Sequence, residues 1–348
     1  MSERASGRAL AHCRARLAAT GSSPTSFALA AIVCVALGAA SASAQFAMLE
    51  ETSPSYEWRG RLATSYRNEF STKSDAGDEF DAWRVEVEGG VEGPINQSIL
   101  VGFQGGYRHA RYDFDLDGSP PGSFGTALPR DPWNTVNSLD FLPNATVLVG
   151  SRVAVIAAVP IRWAAETGAD RNGFAAGVSA LVRWQVSDAL SLGAGIGVTS
   201  QLEGDAETFP LISLRWRISE SLELTTQGGW FQGGRTALLW GPNPAIRLSL
   251  SAGYERLRFR LDDNGNAADR NGIGEVTTIP IEVGLRLQLI PEAILEIHAG
   301  LGVEGRLRVE TDSGRKLYDQ TYDPAPRVGF SLTFPIGLPA RTASEPRP

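Results

Sequence analysis

Apolar and polar residues alternate with a period of two along most of this 348-residue chain. In the stretch 174–186, FAAGVSALVRWQV, the residues Phe174, Val178, Val182, Trp184 and Val186 fall on one face. Gly177, Ser179, Arg183 and Gln185 fall on the other. After the turn SDA the pattern resumes, with Leu190, Leu192, Ala194, Ile196 and Val198 opposed to Ser191, Gly193, Gly195, Gly197 and Thr199. Side chains of a strand point alternately to its two faces, so such alternation predicts strands. Runs of this kind are about twice as long as an ordinary strand, and match the ~9–11 residues a tilted strand needs to cross a bilayer.

Fourteen such strands are predicted: 57–70, 81–93, 99–112, 135–149, 152–165, 173–186, 189–200, 208–218, 221–231, 235–241, 245–261, 274–289, 293–309 and 323–334. Every second connection is tight (PINQS, GS, SDA, SES, GPNPA, IPEA), whereas 71–80, 113–134, 262–273 and 310–322 are longer. Short turns at one end and long loops at the other predict an all-β fold, a transmembrane antiparallel up-and-down barrel of about fourteen strands, with twelve to sixteen accommodated. Hydrocarbon offers backbone groups no partner, so the sheet must close on itself. A soluble sandwich would alternate too, but its core would not accept mid-strand charges.

With the apolar face toward lipid, the inward set is Arg59, Arg61, Arg67, Glu69, Arg84, Glu86, Glu88, Arg152, Arg162, Arg183, Arg215, Arg217, Glu223, Glu282, Arg286, Glu296, His298, Glu304, Arg306 and Arg308. Leu295, Ile297, Leu301, Val303 and Leu307 face lipid in the thirteenth strand. Trp58, Trp83, Trp163, Trp184, Trp216, Trp230 and Trp240 fall near strand ends and predict an aromatic girdle.

The first 44 residues have a different pattern. Arg4, Arg8, Arg14 and Arg16 precede the apolar run FALAAIVCVALGAA and the A-x-A site Ala42-Ser43-Ala44. This is the layout of an export signal cut between Ala44 and Gln45. The expected organisation is a signal at 1–44, an extension at 45–56, the barrel at 57–334 and a tail at 335–348. Both cysteines, Cys13 and Cys34, lie in the leader, so the remaining chain has no disulfide and no thiolate metal site. Setting aside the four arginines and Glu3 leaves 28 basic against 38 acidic residues, a net charge near −10. No basic footprint for nucleic acid is present.

The last predicted strand, RVGFSLTF, sets Val328, Phe330, Leu332 and Phe334 on one face. Here the chain resembles bacterial outer-membrane β-barrel proteins, porin-like and of an uncharacterised family, and the segment RFRLDDNGNAADRNGIGEV is similar to loops of such barrels. It departs from many members in the tail PIGLPARTASEPRP, since their chains end on the aromatic residue. The resemblance implies an outer-membrane location, contact with membrane lipid, and recognition of the last strand by barrel-assembly machinery.

No motif for chemistry stands out. GAGIG at 193–197 lacks the spacing of a nucleotide loop, and Ser313 with Lys316 is a lone S-x-x-K. The acids Asp262, Asp263 and Asp269 do not have calcium-loop spacing and read as a solvated face. No cofactor and no metal are expected. A hydrolase would need a nucleophile beside His109 or His298, and none is spaced for it. The expected function is a pore or facilitator for small solutes through a charged lumen, narrowed by the segment 113–134. The alternatives are a non-conducting structural or binding barrel and an outer-membrane hydrolase. Glu296 and His298, on one face ~7 Å apart, would make the lumen's charge respond to pH.

Overall fold

The computed structural model describes residues 58–337, apart from 76, 116–130, 171–172, 230–232, 244, 265–268 and 291–292. The leader, the Ala44–Gln45 site, the 45–56 extension, Trp230 and most of the 113–134 segment therefore lie outside the described residues.

Seventeen strand segments form one sheet: β1 (Arg59–Lys73), β2 (Glu79–Asn96), β3 (Ile99–Asp115), β4 (Thr135–Val149), β5 (Val153–Ala158), β6 (Ile161–Glu166), β7 (Phe174–Ser187), β8 (Leu190–Thr199) and β9 (Glu207–Ser219). They continue with β10 (Leu222–Gly229), β11 (Gly233–Asn243), β12 (Ile246–Gly253), β13 (Glu255–Arg260), β14 (Ile273–Ile290), β15 (Ala293–Glu310), β16 (Lys316–Tyr322) and β17 (Ala325–Gly337). Three pairs are single strands broken by a bend. β5 and β6 are parted at Val159-Pro160, where proline cannot donate to the ladder. β12 and β13 are parted at Tyr254, and β16 and β17 at Asp323-Pro324. Seventeen segments thus make fourteen strands, and β1 pairing with β17, from Arg59–Gly337 to Glu69–Arg327, closes the barrel.

The short turns are shaped by side chains. Asn96 Oδ1 accepts from the backbone N of Ser98 and Ile99, and Asn243 Oδ1 from that of Ala245. Such Asx bonds replace backbone turn bonds locally. At the other end the strands overrun their predicted limits. β1 reaches Lys73, β3 reaches Asp115, and β16 occupies much of the expected 310–322 loop.

The overrun has a physical cause, visible in β2. Near its turn, Val85 and Val87 face outward while Arg84, Glu86 and Glu88 face inward. Beyond Trp83 the chemistry exchanges, with Phe80 and Ala82 inward and buried, and Glu79 and Asp81 outward. β3 repeats this: Phe103 and Tyr107 are outward below His109, and Tyr112 and Phe114 are inward above it. Trp83 and His109 pack at the crossover with ring centroids 5.3 Å apart and planes tilted by 45°. Below it the outer surface meets hydrocarbon; above it the strands stand in water and enclose an ordinary protein core.

That core joins Phe80, Tyr112, Phe114, Trp133, Leu257, Phe259, Val276, Leu307, Val309, Tyr318 and Tyr322. Trp133 meets Tyr112, Phe114 and Phe259 edge-on. The ring around it is smaller than the membrane barrel. At Tyr254 the chain leaves the wall, and β13 crosses to β6, where Arg260 pairs with Ala165 in parallel. On the other side Ser74 bridges to Tyr322. The outer ring is therefore β1-β2-β3-β4-β6-β13-β14-β15-β16, and bypasses β7 to β12.

The crossover level is testable. Val283, 60% exposed on the outward face of β14, lies in the lipid band, so Val283→Arg is expected to cost about 2–4 kcal/mol in denaturant titrations of the barrel folded into vesicles. Asp81→Arg, above Trp83, is expected to stay within about 0.5 kcal/mol. Equal costs at the two positions would refute the placement of the boundary.

Candidate functional site in the barrel interior

The interior below the core is built from the inward residues of the membrane half. At its centre the guanidinium of Arg327, wholly buried, lies 3.0 Å from Glu69, 3.1 Å from Glu255 and 3.4 Å from Glu282. Arg67 reaches Glu255 at 2.5 Å, and Arg84 reaches Glu255 at 3.2 Å and Glu69 at 3.3 Å. Arg235 adds Glu282 at 3.3 Å and Glu296 at 3.8 Å. The bend at Tyr254 makes this possible, because it carries Glu255 off the wall to meet β1, β2 and β17. Four arginines and four glutamates thus balance across the barrel. Two further buried pairs, Arg108–Glu86 at 2.7 Å and Arg162–Asp140 at 2.5 Å, extend the layer toward β3, β4 and β6.

Toward the turns the interior opens. Arg61 faces Glu88 at 3.8 Å with both side chains part exposed, and Glu223 holds Arg215 at 2.8 Å and Arg247 at 3.3 Å. Arg59, Arg183, Arg217 and Arg286 share this inward face by register. Arg152 sits in the β4–β5 turn, where its carbonyl accepts from Gln185 N. On the wall of β4, β5, β7 and β9 the lining is apolar: Leu142, Ile156, Ala158, Leu181 and Leu211 pack together. Gly195 of β8 lies in register between Leu181 and Leu211, so no side chain parts them.

Three expected interior residues are displaced. Between Thr277 and Ile279 of β14, β15 carries an extra residue, and Glu304 at this bulge has φ 52°. The extra residue reverses the faces beyond it. Leu307 and Val309 therefore turn into the outer core, while Arg306 and Arg308 turn to the opposite face. Arg306 pairs there with Asp319, Arg308 lies 3.6 Å from Glu275 and Glu310, and Glu304 is exposed. Glu304 and Arg306 do not share a face with His298.

His298 is buried between two glycines in register, Gly284 and Gly329, and a Cβ on Gly329 would overlap its Nε2. Neither ring nitrogen has a hydrogen-bond partner among the described residues. Glu296 is directed to Arg235 instead. His109 faces outward, with Nδ1 at 2.9 Å from Asn137 Oδ1. Neither imidazole is hydrogen-bonded to a hydroxyl or a carboxylate among the described residues. Of the expected girdle, Trp58, Trp184, Trp216 and Trp240 are exposed near the turns, and Trp83 and Trp163 are half-buried toward the outer end.

Sequence reasoning missed the second face of β13. Arg256 bridges Glu207 at 2.9 Å and Glu275 at 2.9 Å, Arg258 reaches Glu310 at 2.5 Å, and Arg260 reaches Glu203 at 2.8 Å. The alternation RLRFR carried the signal, but not the bend that takes this strand away from β11. Asp131, Trp133, Glu166, Asp262 and Asp269 line a cleft of about 300 Å³ nearby, and Asp269 is buried rather than solvated.

No family model matches the sequence, and no curated protein matches it. Among solved structures, the chain is similar in fold to an outer membrane channel from Pseudomonas putida F1, at 9% identity over 82% of this chain and 97% of that one, TM-score 0.44. It is also similar to the Pseudomonas putida toluene transporter TodX, at 10% identity over 85% and 95%, TM-score 0.37. A third is the translocator domain of the autotransporter NalP from Neisseria meningitidis, at 10% identity over 82% and 90%, TM-score 0.37. The likeness is one of architecture.

Removing one partner from a buried charge network strands the others. Arg327→Met is expected to destabilise the barrel by about 3–5 kcal/mol. Arg61→Met, whose pair is part exposed, is expected to cost at most about 1 kcal/mol. Denaturant titration of the two variants decides the matter, and a small cost at Arg327 would show that the network is not a strut.

Proposed function

We propose that the protein is a bacterial outer-membrane barrel through which small hydrophilic solutes diffuse along a narrow, charged lumen. The reading is supported by one contrast: charged side chains on the turn side of the interior reach solvent, whereas the central ion-pair layer is dry. Glu88, Arg215 and Arg247 have 44%, 34% and 30% of their side-chain surface exposed; Arg327 and Glu282 have 0% and 1%. The lumen role of the inward charges belongs to this reading, as do insertion by barrel-assembly machinery through β17 and contact of the apolar band with outer-membrane lipid.

A solute entering from the turns meets the buried ion-pair layer on one side. On the other it meets the second face of β13, opposite the ends of β8 and β9. The outer ring bypasses those strands, so a passage there would avoid the aromatic core, and the pairs Arg256–Glu207 and Arg260–Glu203 cross it. The dry core itself favours the rival reading, a non-conducting binding barrel.

Planar-bilayer recording separates the two. The purified, heat-modifiable barrel is expected to show a small, reproducible conductance. With Arg256→Cys in a chain otherwise free of barrel thiols, a bulky thiol reagent is expected to reduce that current to a minor fraction. A current insensitive to the modification would remove the passage along β13. No conductance from the unmodified barrel would leave the binding reading in its place.

A further inference from the structure

Charge is unevenly distributed along the interior. The central layer is balanced, but one wall near the turns is not. β9, β12 and β14 bring Arg215, Arg217, Arg247 and Arg286 to the inward face, and the carboxylate among them, Glu223, is already engaged by Arg215 and Arg247. Arg247 and Arg286 are direct partners across the β12–β14 ladder. Like charges in one rung weaken a sheet. On its other side Arg286 is in register with Glu296, yet that carboxylate lies 3.8 Å from Arg235. Neither Arg217 nor Arg286 has a carboxylate within 4 Å among the described residues. One rung on, at the Ser249–Gly284 pair, Ser249 Oγ is buried without a partner. Of the other acids toward this end, Asp188 and Glu220 sit in exposed turns, and Glu92 faces inward from β2 beside Arg59 and Arg183.

We infer that this wall is a binding site for small oxyanions, carboxylates or phosphates, on the turn side of the barrel. An oxyanion between Arg247 and Arg286 would relieve the like-charge rung, and planar guanidinium forks match the spacing of carboxylate and phosphate oxygens. Partial burial strengthens the attraction relative to open water. The inference deepens the transport reading by naming its solute class, but binding itself does not require conduction.

The test is isothermal titration of the folded, detergent-solubilised full chain at low salt, with inorganic phosphate and separately with succinate. Saturable binding is expected for at least one, and phosphate alone or succinate alone assigns the site to one oxyanion type. Arg247→Gln with Arg286→Gln is expected to weaken it tenfold or more, while Arg315→Gln, in the exposed loop before β16, leaves it unchanged. Heat-modifiability verifies that the double variant is folded; Arg217→Gln, at an exposed position, serves if it is not and is expected to weaken binding severalfold. Absence of saturable binding for both anions, or affinity retained by the folded arginine variants, overturns the inference. In the bilayer, a potassium chloride gradient is expected to give an anion-side reversal potential that Arg286→Glu diminishes. A conducting but anion-indifferent barrel would sink this site and spare the pore, whereas anion binding without conductance would do the reverse.

Discussion

A strand that passes from hydrocarbon into water must exchange the chemistry of its two faces, and the rest of this structure depends on that exchange. In lipid, the outward face has to be apolar and every backbone group has to be paired within the sheet. A few residues further, the same outward face meets water, and the apolar residues move inside. β2 makes the change at constant parity by altering composition around Trp83. β15 makes it by an inserted residue at Glu304. Either device gives long strands whose two halves obey opposite rules.

The exchange accounts for what was legible in the sequence. Alternation showed the strands, their order and the tight turns, because period two survives whichever face is buried. It also led to one face assignment for each whole strand. Leu307 was therefore read as facing lipid and Arg306 as facing inward, when a bulge reverses both. The bends at Pro160 and Tyr254 were invisible for a related reason, since a broken strand keeps its alternation on each side, whereas β16, ahead of Asp323-Pro324, lies in what alternation left as a loop. In the structure Arg84, Glu86 and Glu282 enter ion pairs in the interior. Their pairing across the barrel could not be read, because it depends on where β13 travels after it leaves the wall.

The interior has three chemical layers, each with a different energetic logic. The outer layer is a conventional core, held by burial of aromatic and aliphatic surface. The middle is a balanced set of buried charges, in which each ion offsets its lost hydration only while its partners stay in place. The layer near the turns has an excess of guanidinium and enough water contact to hold it. This order places the dry layers away from the turns and the excess of guanidinium at the turn end.

β13 touches β6 through Arg260 and Ala165, residues far apart along the chain, and this sets an order of events. The outer ring has no closed form until β13 has emerged and crossed over, by which point ten of the fourteen strands already exist. Phe80, Tyr112 and Phe114, near the beginning, have no finished core to enter before then. Loop-closure entropy falls due before those contacts repay it. Both halves therefore wait for the last strands, since Tyr322 of β16 closes the outer ring on Ser74 and β17 closes the membrane barrel on β1.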